Sequence, residues 1–118
     1  MANLQVSAKM KIRKGMLEGI KQHANECIQR VRKKDPGTIQ YDWFISSDNT
    51  ECEIRETYEN SEAFLAHLFN LNDLLHILYE KFASDHTVAI YGDPSQDLLD
   101  KIKARGVDIK FFSFLKGL

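Results

Sequence analysis

ECEIRETYENSEAFLAHL, Glu51 to Leu68, changes period in its middle. Up to Tyr58 the apolar residues Cys52, Ile54 and Tyr58 recur every second position, the period of a strand. The charged residues fall mainly on the other face, as a solvated or paired face would. From Ser61 onward Phe64, Leu68 and Leu71 recur every third or fourth position, the period of a helix. Asn60 or Ser61 supplies a cap between the two, and Glu62 places negative charge in the first turn. A strand that feeds directly into a capped helix fixes the reading of the flanking segments.

Upstream, Thr38–Ser46 is a second strand in which Ile39, Tyr41, Trp43 and Ile45 share a face. The turn residues Ser46–Asn49 join it to Glu51–Glu59 as an antiparallel hairpin. Before the hairpin, Gly15–Lys34 carries Met16, Leu17, Ile20, Ala24, Cys27, Ile28 and Val31 at helical spacing. The turn Asp35–Gly37 ends it, because proline cannot continue a helix. At the start, Leu4–Ile12 alternates cleanly and is a half-buried strand. Downstream, the pattern predicts a helix over Leu74–Ala83 behind a cap at Asn72–Asp73. It then predicts a strand at His86–Tyr91, a short helix starting at Ser95 and ending at Gly106, and a last strand at Val107–Leu115.

The order β-α-β-β-α-α-β-α-β points to an α+β domain. Its first four strands match the ferredoxin-like βαββαβ scheme, an antiparallel sheet with helices on one face. One domain of 118 residues accounts for the whole chain. One sheet face stays uncovered in so small a scheme, and the segment FFSFL (Phe111–Leu115) is strongly apolar. Sheet-to-sheet pairing in a homodimer would cover both.

The composition narrows the function. Hydrophobic residues make up 43% and charged residues 28%, with a formal net charge of -1, so no global field draws nucleic acid or an anionic membrane. Cys27 and Cys52 form no CxxC spacing and no disulfide framework, which suits a reducing compartment. MANLQVSAKM lacks the basic and apolar regions of a secretory signal, and no apolar run nears the roughly 20 residues that span a bilayer. The expectation is a cytoplasmic protein. No two of His23, His67, His76 and His86 have the i, i+4 spacing of a helical metal site, so no metal is expected. Nucleophile-elbow, dinucleotide and Walker motifs are all missing.

The candidates that remain are aromatic. Tyr41 and Trp43 on one strand, with Tyr58 on its neighbour, could line a pocket for a flat small molecule or simply be core. His67 sits at the boundary of the Phe64–Leu68–Leu71 stripe. It could move protons near neutral pH or serve as a satisfied structural histidine. His76 and His86 read as surface residues.

PGTIQYDWFIS (Pro36–Ser46), Glu51–Leu68 and HTVAIYGDPS (His86–Ser95) together resemble the antibiotic biosynthesis monooxygenase (ABM) family. The resemblance runs over nearly the whole chain. It implies a dimeric α/β barrel of ferredoxin-like subunits. It also implies, for some members, a monooxygenase that uses no cofactor and oxidises a quinol-like or polyphenolic molecule with O2. His67 matches the histidine closing the family's "AF..H" helix motif and is the expected catalytic residue. Tyr41, Trp43, Tyr58 and Phe64 are the expected substrate-binding residues. A non-catalytic dimeric ligand-binding domain is the alternative. The heme-degrading branch fits poorly: its tryptophan position holds His67, Ile77 stands where its histidine belongs, and Asn3 only precedes the first strand.

Overall fold

The computed structural model describes residues 3–118. Met1 and Ala2, which open the stretch read above for a signal sequence, lie outside them. The elements run β1 (Leu4–Ile12), α1 (Leu17–Lys34), β2 (Thr38–Ile45), β3 (Glu51–Tyr58), α2 (Ser61–Asn70) and α3 (Asn72–Ile77). They continue with a π turn (Leu78–Phe82), β4 (Ala83–Tyr91), α4 (Gln96–Lys103) and β5 (Asp108–Phe112). The sheet order is β2-β3-β1-β4-β5. This is the ferredoxin-like α+β arrangement.

The first four strands pair antiparallel. β5 adds parallel to β4, so the complete sheet is mixed. The helical connection through α4 brings the chain back to the same end of the sheet, which makes a parallel neighbour.

The helices bury one sheet face. Leu4, Val6, Ala8 and Met10 point inward from β1 and are at most 5% exposed. They meet Ile54 and Tyr58 from β3, Ile90 from β4, and Leu98 and Ile102 from α4. α1 contributes Ile20, His23, Ala24, Cys27 and Val31 at helical spacing. It begins at Leu17 because Gly15, at φ +78°, makes a left-handed turn that glycine tolerates best. Its basic last turn, Arg32–Lys34, suits the helix dipole. Arg30 ties it to α3, donating to Asp73 Oδ1 at 2.8 Å.

Local chemistry redirects three expected details. In β2 the register shifts between Thr38 and Gln40. The bulge takes Ile39 out of the Tyr41–Trp43–Ile45 face and leaves it exposed. Asn60 caps α2, accepting from the Ala63 amide at 2.9 Å. The alternative cap, Ser61, instead holds the start of the α4 segment through the Ser95 amide at 2.9 Å.

The third detail lies at the α3–β4 junction. Helical spacing suggests α3 runs to Ala83, but it stops at Ile77 and widens into the π turn. There the Ala83 amide bonds the Leu78 carbonyl, five residues back. The chain then enters β4 three residues before His86.

No helix among the described residues is long and apolar enough to cross a membrane.

Candidate functional site

The turn after α1 carries the first part of the site. Proline at position 36 stops the helix, and Asp35 becomes its C-cap, with its amide on the Val31 carbonyl at 3.0 Å. Gly37 lets this turn press on α2: a Cβ there would lie 2.6 Å from Ala63 Cβ. That approach places the Asp35 carboxylate beside the last turn of α2. Oδ2 lies 2.7 Å from His67 Nδ1, and Oδ1 accepts from Asn70 Nδ2 at 2.5 Å. Asp35 and His67 are both buried.

A carboxylate accepts hydrogen bonds, so Nδ1 of His67 carries the proton in the neutral ring. Nε2 is the free base. Nε2 points toward Glu56, whose Oε1 is 4.0 Å away.

Glu56 is the residue that the charged-face reading of Glu53–Glu59 misses. It pairs with Tyr41 and Val6 in the sheet, on the inward face with Ile54 and Tyr58. It is 7% exposed. Burial pushes its carboxyl above the ordinary range, while the His67 charge and the Tyr58 hydroxyl pull it down. The Tyr58 hydroxyl donates to Glu56 Oε1 in a short bond. Burial, then the Glu56 charge, holds the Tyr58 phenol well above its usual value. Asp35–His67 and Glu56–Tyr58 thus form two hydrogen-bonded pairs under the helices, 4.0 Å apart at Nε2 and Oε1.

His67 borders a cleft of about 480 Å³ between the sheet and the helices. Ala8, Ile54, Phe64, Leu68, Leu75 and Ile109 give it apolar walls. Of the five residues expected from sequence, Phe64 and His67 line it. Tyr58 is buried behind Glu56, its ring stacked on Phe64 at 4.7 Å. Tyr41 backs the His67 ring at 5.1 Å. Trp43 meets Tyr41 edge-on at 6.1 Å and packs with Cys27, Val31, Leu71 and Leu74. Neither Tyr41 nor Trp43 is among the residues that line the cleft.

The opposite side of the cleft holds groups that sequence spacing assigns to the surface. Between Lys9 and Lys11 the β1–β4 register slips. β4 contributes Asp85 and His86 opposite Met10 alone, and Asp85 has φ +53°. The bulge turns His86 inward, a common use of such bulges. The π turn brings Tyr79 onto it, with ring centroids 3.7 Å apart and nearly parallel. Arg105 stands nearby, and its charge acts on both rings. His76 does stay on the rim, 2.6 Å from Glu80.

Burial first, and Arg105 second, lower the His86 pKa from 6.5 to about 4. Its neutral form therefore favours the fold above pH 6.5, and that stability is lost as pH falls toward 4. Glu56, with a raised value, acts in the opposite sense: its contribution is lost as pH rises through its folded value. The expected result is that wild type loses about 1–2 kcal/mol more than His86→Gln across this window, after allowance for partial exposure. Urea denaturation of both proteins at a series of pH values measures it, because the Glu56 contribution cancels in the comparison.

Among the described residues, no three His, Cys, Asp or Glu side chains gather to hold a metal ion.

An α+β domain with a helix-borne histidine between a buried carboxylate and an apolar cleft has the groups that proton transfer on a small molecule needs. Residues 4–70 match the profile of the family described as antibiotic biosynthesis monooxygenase. The chain belongs to this family. Its fold is similar to that of MupZ from Pseudomonas fluorescens, at 21% identity and TM-score 0.82, over 100% of this chain and 94% of that one. Rv0793 from Mycobacterium tuberculosis is similar at 18% identity and TM-score 0.68, over 80% and 98%. PA3566 from Pseudomonas aeruginosa is similar at 17% identity and TM-score 0.65, over 76% and 92%. No curated protein matches the sequence.

Proposed function

We propose that the protein is a cofactor-independent monooxygenase that oxidises a quinol-like or polyphenolic small molecule with O2. The observation that carries this reading is the orientation of His67. Nδ1 is fixed on Asp35, while Nε2 is left free beside the apolar cleft. Family membership supports the reaction class.

The chemistry needs no outside reductant. A hydroquinone and O2 give a hydroxyquinone and water, so the substrate supplies all the electrons. Nε2 takes the proton of a substrate hydroxyl, and the resulting phenolate gives up an electron to oxygen more readily than the phenol. Oxygen then bonds to a ring carbon, and protonated His67 returns its proton to give a hydroperoxide there. The hydrogen on that carbon leaves as a proton while the O–O bond breaks, so water departs and the new ring carbonyl tautomerises to the hydroxyquinone; the Glu56–Tyr58 pair would shuttle these protons. The apolar walls limit water and so protect the reactive species. Phe64 forms a wall of the binding site. Tyr58 and Tyr41 act on His67 from behind, and Trp43 supports Tyr41.

An oxygen electrode with 1,4-dihydroxynaphthalene tests the reading against the uncatalysed autoxidation rate. Faster oxygen uptake with one hydroxyquinone formed per O2 supports it. If aromatic ligands raise the melting temperature by mass action without oxygen uptake, the protein is a binding domain instead.

We further propose a homodimer that pairs through the outer sheet face. Phe44, Tyr91 and Phe112 stand exposed there on β2, β4 and β5. Tyr91 and Phe112 stack on each other at 5.1 Å, which makes a firm apolar patch. Wild type is expected to elute at twice the subunit mass in light scattering, and Phe112→Glu at the subunit mass. A wild type that is monomeric at micromolar concentration overturns the assembly.

A further inference from the structure

We propose that the natural substrate carries an ionised carboxylate at the end opposite its reacting hydroxyl, and that Arg105 receives it. The inference rests on reading the cleft as the substrate site. Among the described residues, Glu56 and Glu80 are the two carboxylates that border this cleft. Glu56 accepts from the Tyr58 hydroxyl, and Glu80 pairs with His76. Arg105 borders the same cleft, yet among the described residues no carboxylate lies within ion-pair distance of it. A guanidinium at the edge of an apolar cleft, free to form a forked pair, matches a carboxylate.

The neighbours of Arg105 fit the same purpose. His86 is held neutral, so it adds no competing charge and can donate one hydrogen bond. The Tyr79 ring stacked on it forms a flat wall against which an aromatic body can lie.

The sheet sets the length of the ligand. His67 contacts Glu56 and Tyr58 of β3, while Arg105 acts on His86 of β4. β1 lies between those strands. Two strand spacings separate the ends by at least about 10 Å, and the offset along β1 from Val6, opposite Glu56, to Met10, opposite His86, adds to it. The ligand is therefore elongated, and a fused bicyclic aromatic with a hydroxyl at one end and a carboxylate at the other is the shortest rigid body that covers the lateral distance. The apolar wall between the ends suits such a body.

The test uses 6-hydroxy-2-naphthoate and its methyl ester, titrated calorimetrically into the full chain at pH 7.5. Wild type is expected to bind the acid about five- to tenfold more tightly than the ester, with the gain shrinking as salt is added. In Arg105→Gln the two ligands should bind alike, with the ester affinity unchanged, which also shows that the variant is folded. Leu68→Trp, which fills the cleft, should abolish binding of both.

Equal binding of acid and ester by wild type overturns the carboxylate proposal and leaves the cleft reading intact. A preference that survives Arg105→Gln overturns the Arg105 assignment. Binding of neither ligand by wild type, or undiminished binding by Leu68→Trp, removes the cleft reading and the proposal together.

Discussion

His67→Gln is expected to lower the catalysed rate of quinol oxidation about 10²–10⁴-fold, the usual contribution of a placed general base. Glutamine retains much of the side-chain volume and can still donate to Asp35. The buried carboxylate is therefore not stranded, and the loss reads chemistry more than folding. The amide has no basic nitrogen at the position of Nε2, so a substrate hydroxyl keeps its proton. The loss should fall on kcat, with KM little changed, because the apolar walls that hold the ring are untouched. Steady-state oxygen uptake by wild type and variant checks this. Unchanged turnover removes His67 from the mechanism.

Asp35→Ala is expected to have the largest effect on stability. Its carboxylate is the buried acceptor of the His67 Nδ1 hydrogen bond, and stranding that donor together with the Asn70 amide costs about 3–5 kcal/mol, since each hydrogen bond to a charged acceptor contributes about 1.5–3 kcal/mol. At about 4 °C per kcal/mol for a chain of this size, the melting temperature should fall by roughly 12–20 °C. Asp35→Asn restores volume and one acceptor, and should recover much of that stability. It should not recover turnover, because an amide can also donate to Nδ1 and so permits the wrong ring tautomer. Calorimetry and oxygen uptake on the same two variants separate the structural from the positioning role. Equal stability of Asp35→Ala and wild type would deny the buried pair any importance.

The fold was largely readable because its signals are local. The alternation of Leu4–Ile12 and the helical spacing of Ile20, Ala24, Cys27 and Val31 need only the nearest neighbours in sequence. What was not legible depends on register and on contacts far along the chain. The bulge at Asp85 reverses the facing of His86, and no period in His86–Tyr91 announces it. The π turn adds a residue to a helical turn without altering the apolar spacing before it.

Asp35 looks like a helix stop in Asp35–Gly37, and only the docking of α2 makes it a histidine partner. Glu56 is different, because its parity with Ile54 and Tyr58 was visible. Strict two-residue alternation places it inside, but its charge argued for the outside. His67 stands out by its boundary position and its family motif, and in the fold it borders the cleft. Tyr41 and Trp43 were found as an aromatic face, yet that face turns toward α1 and α3, and the cleft lies on the other side of His67.

The central place of β1 has a consequence for how the chain is made. It pairs with β3 on one side and β4 on the other, so the first of these five strands to be synthesised is the middle of the sheet. At about 5–20 residues per second, the ribosome delivers β3 a few seconds after β1, and β4 several seconds later still. Throughout that interval Leu4, Val6, Ala8 and Met10 have no permanent cover, and both edges of the strand are open. Asp35 and His67 likewise meet only after α1 and α2 have docked. During synthesis the chain carries the central strand of this sheet before any of its partners, and the Asp35–His67 hydrogen bond assembles only once α2 has emerged.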